Sequence, residues 1–255
     1  MRRIAFVNQK GGVGKTTTVQ NVGAGLARLG RRVLIIDLDP QANLTEGYGV
    51  NPDEIGKSVY NLLMGTDELS AVSIHLNENL SLAPSCIDLA GAEVELLSLP
   101  GKEHRLRKAL ESVKDYDYIL IDCPPSLGQL TLNGLTAAQE VIIPIQSQFY
   151  AFKALRKLIE TVDMVKEWSN TKLEISGIVA TLYDARKSLS KDVVAQLQEY
   201  FGEKLFKTMI RDNTKLAETP AAGRDVFAYA PSSMGAWDYR ALCDELVAME
   251  ERYGR

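Results

Sequence analysis

Ile4-Ala5-Phe6-Val7-Asn8-Gln9-Lys10-Gly11-Gly12-Val13-Gly14-Lys15-Thr16-Thr17 sets a short apolar run, a glycine-rich turn and the opening of a helical pattern in immediate succession. That order of strand, turn and helix is what a phosphate-binding loop requires. Glycines let successive backbone N–H groups turn toward phosphate oxygens, and the helix N-terminus adds its positive dipole end. Gly11, Gly12, Val13 and Gly14 would line the cradle, Lys15 would reach the β- and γ-phosphates, and Thr16 would place its hydroxyl on Mg²⁺. Thr17 could hydrogen-bond the α-phosphate. The usual pattern is G-x-x-x-x-G-K-[ST], but the residue five before Gly14 is Gln9, and a second lysine, Lys10, follows it.

Two further runs carry carboxylates to the same chemistry. Val33-Leu34-Ile35-Ile36-Asp37-Leu38-Asp39-Pro40-Gln41 reads as a buried strand whose continuation would send Asp37 and Asp39 to one side, with Pro40 ending the ladder. Both acids could instead simply face solvent at a strand end. Tyr118-Ile119-Leu120-Ile121-Asp122 is an apolar strand closing on a single acid. An acid at the carboxyl edge of a parallel strand can hold Mg²⁺ through water beside Thr16. Cys123 reads as a small buried filler, since no basic group stands near it in sequence.

The pattern predicts an α/β fold in which a mainly parallel, twisted sheet is covered by helices on both faces. Strands are expected at 3–8, 32–37, 80–84, 118–122, 140–145, 174–181 and 204–210. Helices are expected at 15–29, 89–97, 104–113, 131–138, 152–168, 190–200 and 236–253. The stretch 45–79 is the least patterned and reads as a mobile insertion with short helices. No linker divides the 255 residues, so one domain over 1–255 is expected. With 45% hydrophobic and 24% charged residues and a net charge of −4, a disordered chain and a globally basic nucleic-acid binder are excluded. Cys86, Cys123 and Cys243 form no CxxC pair, which points away from a disulfide framework or a zinc site. Neither a signal-peptide core nor a membrane-spanning stretch is present, and a cytoplasmic location is expected.

Lys10-Gly-Gly-Val-Gly-Lys-Thr resembles the deviant Walker A loop of the ParA/MinD family of P-loop ATPases, and Asp37-Leu-Asp39-Pro-Gln resembles the family's second motif. Ala90-Gly-Ala-Glu93, Asp122-Cys-Pro-Pro-Ser-Leu-Gly128, Pro144-Ile-Gln146, Leu182-Tyr-Asp-Ala-Arg186 and the run 232–239 look like the Soj-type chromosomal ParA subgroup. The resemblance implies ATP and Mg²⁺ as ligands and a dimer closed over two ATP molecules. In it, Lys10 reaches the partner's nucleotide, Lys15 stabilises charge and Asp39 orients the attacking water. Asp122 takes the Walker B role, and Asp37 is a partner of the metal's surroundings. A solvated Lys10 is the plain alternative.

The resemblance also implies slow ATP hydrolysis accelerated by a ParB-like partner, non-specific DNA binding through Arg186 and Lys215, nucleoid association, and a role in chromosome or plasmid segregation. Lys187, Lys191, Lys207, Arg211 and Arg224 are possible neighbours of the DNA surface. Residues 184–225 nevertheless hold eight basic against seven acidic residues, so an ordinary solvated face remains open. The subgroup's Pro-Arg-Asn is replaced by Arg211-Asp212-Asn213, with Asn213 the candidate adenine contact. The N-terminal helix-turn-helix extension of larger plasmid ParA proteins is not expected. The segment 236–255 carries five acids and three arginines, which disfavours a membrane-binding helix. The rival readings are a cargo-positioning ATPase, a nucleotide-binding scaffold without turnover, and an iron–sulfur reductase.

Overall fold

Strands too apolar to face water on either side must be covered twice, and here they assemble into a single twisted layer with helices above and below. The computed structural model describes residues 1–147 and 151–253. The strands are β1 (Arg2–Phe6), β2 (Val33–Asp37), β3 (Ile74–Asn77), β4 (Leu80–Ala83), β5 (Tyr118–Asp122), β6 (Glu140–Gln146) and β7 (Glu174–Thr181). Their order is β3-β4-β2-β5-β1-β6-β7. Every pairing is parallel except that of β3 with β4.

Alternation along each strand divides the core in two. Ala5, Leu34, Ile36, Ile119 and Ile121 face one side, with Leu135 and Leu158 from the helices Gln129–Ala137 and Ala151–Trp168. Ile4, Phe6, Val33, Ile35 and Leu120 face the other, with Val22 of the helix Lys15–Arg28 and Leu242 of the helix Met234–Ala248. The 3, 4 and 7 spacing of Leu155, Leu158, Ile159, Val162 and Val165 predicts a core face; all are buried there except Ile159, which is half-buried against the same core. Because β2, β5 and β1 are adjacent and parallel, the loops leaving their carboxyl ends open at one edge.

The neighbouring strands β1 and β6 are tied together by a buried ion pair. Arg2, 1% exposed, donates Nε and Nη2 to the two carboxylate oxygens of Glu140 at 2.8 and 2.7 Å, and Nη1 to the Leu246 carbonyl at 2.6 Å. The N-terminal strand, β6 and the C-terminal helix thus meet on one guanidinium.

Three expectations change. Residues 204–210 form no strand. Their backbone touches β7 through Phe206 and Ile210, but the Lys207 and Thr208 amides donate to the Glu245 carboxylate at 3.0 and 2.8 Å instead of to a ladder. The stretch 45–79 holds short helices, as expected, and also the edge strand β3, whose half-polar Ile-His-Leu-Asn sequence hides it. Helix ends shift by a few residues: at 104–113 the α-helix spans only Arg105–Ala109, and 236–253 is divided into Met234–Ala248 and Glu250–Tyr253. Residues 254 and 255, the end of the C-terminal segment, lie outside the described residues.

Glu140→Ala would strand the Arg2 charge in the interior, and a loss of about 3–5 kcal/mol in urea unfolding is expected. The double variant Arg2→Met/Glu140→Leu should recover most of it. A loss under about 1 kcal/mol for Glu140→Ala would show that the pair does not tie the strands together.

Candidate functional site

The loop between β1 and the helix Lys15–Arg28 turns on two glycines in the left-handed region, Gly12 at φ +72° and Gly14 at φ +76°. A side chain at either position would strain the turn, and around Gly12 the space is open. Gly14 sits at the helix N-cap without a capping side chain, so the first-turn amides are offered to whatever lies in the loop. Thr181, the last residue of β7, donates its Oγ1 to the Val13 carbonyl at 2.7 Å and fixes the loop from beneath. Sequence reading missed Thr181, since nothing local marks a partner 168 positions away.

Lys15 and Asp122 form the electrostatic centre. Nζ lies 2.6 Å from Oδ1, with side chains 8% and 0% exposed. Burial pushes the Asp122 carboxyl up, against the lowering effect of Lys15. Burial acts to lower the Lys15 ammonium, but the Asp122 charge and hydrogen bond outweigh it and hold the lysine charged. The second oxygen, Oδ2 of Asp122, is buried without a hydrogen-bond partner. Cys123 behind it lies in the core, its thiol pushed up to about 12 by burial, as a filler should be.

The Asp37–Asp39 expectation is corrected in its geometry. β2 stops at Asp37, before Pro40 could end it, so the two acids do not continue one strand. Asp37 turns into the protein: its Oδ2 accepts the Thr45 amide at 2.9 Å and hydroxyl at 2.8 Å, and its Oδ1 accepts the Asp39 amide at 3.2 Å. The Thr45 hydroxyl in turn accepts the Ser85 amide at 2.9 Å, and Ser85 donates to the Asp39 carbonyl at 2.7 Å. Asp39 instead lines the cleft, its Oδ1 accepting the Gln41 amide at 3.0 Å. Asp37 is buried beneath the cleft and Asp39 lines it.

That cleft has a volume of about 530 Å³. Lys10, Lys15, Thr16, Thr17, Asp39 and Glu46 are among its walls, with Pro125 from the segment after β5 and Pro220 and Ala221 from the helix Thr214–Ala222. The loop residues Gly11 to Thr17 all contribute to its lining. Lys10 lies along its rim, Nζ 2.9 Å from Oε1 of Gln146. Asn213 does not line the cleft. It caps the far end of the Thr214–Ala222 helix, its Oδ1 accepting the Lys215 amide at 2.8 Å.

Arg186 and Lys215 are exposed but engaged. Arg186 chelates Asp184 at 2.9 and 3.0 Å and holds that carboxyl far below the usual carboxylate range. Lys187 also reaches Asp184, at 3.6 Å. Lys215 pairs with Glu218 at 2.8 Å. Arg211 is clasped by Asp238, the guanidinium side chain 37% exposed and the acid's 8%. A parallel bridge between Tyr183 and Arg211 sets the loops carrying Arg186 and Lys215 side by side.

A glycine cradle, a buried lysine and hydroxyl and carboxylate oxygens at strand ends suit a polyphosphate with a hard, oxygen-loving cation. The orphaned Asp122 oxygen beside the Thr16 loop fits such an ion directly or through water. A family model described as an AAA domain, AAA_31, matches residues 1–175. The sporulation initiation inhibitor protein Soj of Bacillus subtilis is 46% identical over 247 residues, covering 96% of this chain and 98% of that protein. The chromosome-partitioning ATPase Soj of Treponema pallidum is 46% identical over 254 residues, 98% of each. A crystal structure of cobyrinic acid a,c-diamide synthase from Mycobacterium smegmatis with bound ADP and magnesium matches with a TM-score of 0.87 at 40% identity, covering 100% of this chain and 97% of that one.

Asp37 gives the site a measurable pH signature. Burial first, then the Asp122 charge, push its carboxyl up to about 7, against the Thr45 hydrogen bonds. The folded chain therefore keeps a proton that the unfolded chain releases near pH 4, and stability falls as pH rises from about 4 through 7. In magnesium-free buffer, Asp37→Asn should remove roughly 2–4 kcal/mol of the decline between pH 5 and 8. An unchanged slope would mean that Asp37 is ionised throughout.

Proposed function

The chain belongs to the AAA_31 family and, within it, to the Soj-type ParA ATPases, and on that premise we propose that it hydrolyses ATP as a partitioning protein. The observation that carries this reading is the convergence of Lys15, Asp122 and Asp39 on the glycine loop, at the ends of three adjacent parallel strands. In the reading, the loop amides and Lys15 hold the phosphates, and the Lys15 ammonium exchanges part of its contact with Asp122 for the β- and γ-oxygens. Thr16 and Asp122 hold Mg²⁺, the latter through water, with Asp37 supporting Asp39 from behind. Bound Mg²⁺ would supply charge neutralisation across the phosphate oxygens. Asp39 orients water for in-line attack on the γ-phosphorus. Asn213 remains proposed only as an adenine contact that requires its cap to open.

Lys10 completes the scheme from a second protomer. Its ammonium sits on the rim, where leaving Gln146 would carry it toward a facing protomer's γ-phosphate. The ATP-closed dimer then doubles any cationic surface, which is how a nearly neutral face such as 184–225 gains affinity for non-specific DNA. Arg186 and Lys215 are the proposed contacts, a ParB-like protein the proposed stimulator, and the nucleoid the proposed site of action. No helix among the described residues is long and apolar enough to cross a membrane. The synthase name of the M. smegmatis structure denotes a different reaction, carboxylate amidation. Phosphate release with no carboxylic acid or nitrogen donor present separates the two.

Lys15→Ala should lower ATP affinity by at least about a hundredfold in calorimetry, since a charged contact to the phosphates is lost. Asp39→Ala should keep binding and lose phosphate release by about a hundredfold or more. Release at the wild-type rate would remove Asp39 from the water-positioning role. For DNA, Arg186→Ala and Lys215→Ala should each weaken ATP-dependent binding and flatten its dependence on salt by about one charge per protomer. Unchanged slopes would place the DNA surface elsewhere.

A further inference from the structure

Among the described residues, four buried side-chain atoms lack a hydrogen-bond partner. Besides Nε of Arg3 and the Asp122 oxygen of the cleft above, they are Oε1 of Gln129 and Oγ1 of Thr136, and both of these residues line a second cavity. That cavity, of about 360 Å³, lies between the helices Gln129–Ala137 and Ala151–Trp168 and reaches the 3₁₀ turn Lys102–His104. It shares no lining residue with the cleft that holds Lys15.

Gln129, Leu132 and Thr136 fall at i, i+3 and i+7, so one helix face forms a wall with a polar group at each end and an apolar side chain between. At 1.5 Å of rise per residue, the two polar positions stand about 10 Å apart. Met164, Val165 and Trp168 come from the facing helix. Of these, Trp168 and Met164 are 78% and 47% exposed, leaving a flat indole and a polarisable thioether open to solvent. Lys102 and Glu103 bring one charge of each sign, so the cavity offers a guest no net charge. Thr136 itself is 2% exposed, and a buried hydroxyl left bare is costly. Turning the Gln129 amide over would only bury its nitrogen in the oxygen's place. Water entering to satisfy both atoms would lie against Leu132, Val165 and Met164, a poor setting for it.

We propose that this cavity is a binding site for a flat, uncharged bicyclic aromatic or heteroaromatic molecule that carries a hydrogen-bonding group at each end. One end donates to Oε1 of Gln129, the other meets the Thr136 hydroxyl, and the rings lie on Leu132 and Val165 beside the Trp168 indole. Both bare atoms are shielded from water, so each side chain turns about one torsion to meet the guest. Two fused rings fit a separation of about 10 Å with a hydrogen bond at each end, and the volume is that of a small-molecule pocket. The site stands whether or not the chain hydrolyses ATP.

The test is calorimetry on the full chain at neutral pH with 2,6-dihydroxynaphthalene as the probe. Beside it stand 2-naphthol, which keeps one polar end, and naphthalene-2,6-disulfonate, which replaces both ends by charges. The wild-type chain should bind the diol, bind 2-naphthol about tenfold more weakly, and leave the disulfonate unbound. Thr136→Val keeps the shape and removes the hydroxyl. It should weaken the diol about tenfold and leave 2-naphthol unchanged, since that molecule can turn its one hydroxyl toward Gln129. Trp168→Ala removes an exposed ring that the fold does not need, and it should weaken both compounds about tenfold or more. Trp237→Ala, at an exposed tryptophan elsewhere, should change nothing. Absence of diol binding, or binding indifferent to Thr136→Val or to Trp168→Ala, overturns the site. So does displacement of the diol by saturating ATP and magnesium, which would put it in the Lys15 cleft, and so does equal binding of the disulfonate. A Trp168→Ala chain that binds the diol like the wild type but shifts its monomer–dimer equilibrium assigns this face to a second copy and overturns the proposal as well.

Discussion

A lysine ammonium held 2.6 Å from a fully buried carboxylate is the contact around which the proposed nucleotide site is built. Neither Lys15 nor Asp122 could be kept inside alone, because an unpaired interior charge costs several kcal/mol. The two are brought together by backbone that has other reasons to be there. β5 ends at Asp122 as a wholly buried central strand, and Lys15 is the first residue of a helix forced to start where the glycine loop ends. The pair leaves one Asp122 oxygen without a partner, a deficit that a hard cation or its water would satisfy.

Around this contact the two acids after β2 divide their work by depth. Asp37 ties its strand to the helix Asn43–Gly47 through Thr45, and Thr45 and Ser85 carry that restraint to the Asp39 backbone. The Asp39 side chain is left facing the cleft on a backbone it cannot easily shift. The water-positioning role proposed for Asp39 needs such a mounting, since small displacements from the attack line are costly.

What was legible in the sequence was local. Apolar runs ending in Asp37 and Asp122, and glycines followed by Lys15 and Thr16, are short-range patterns, and the fold and the floor of the site follow from them. What was hidden depends on partners far along the chain. Arg2 looks like a solvated N-terminal charge until Glu140 of the neighbouring strand β6 meets it, and Thr181 reaches Val13 from the end of β7. Glu245 draws residues 207 and 208 off an expected strand, and Asn213 also caps the helix Thr214–Ala222. The placement of Asp37 and Asp39 on one face came from extending β2 by two residues, since residues i and i+2 share a face only while the chain stays extended.

The least local element of the account is Lys10, whose proposed role belongs to another protomer's site. Mixing Lys10→Ala protomers with Asp39→Ala protomers tests it most directly, by phosphate release from two preparations that are each inactive. If Lys10 acts across the interface, each mixed dimer contains one complete site, and activity should return to about a quarter of the wild-type rate for random pairing. If the mixture stays as inactive as its components while mixed dimers form, Lys10 does not serve the facing nucleotide and the account fails.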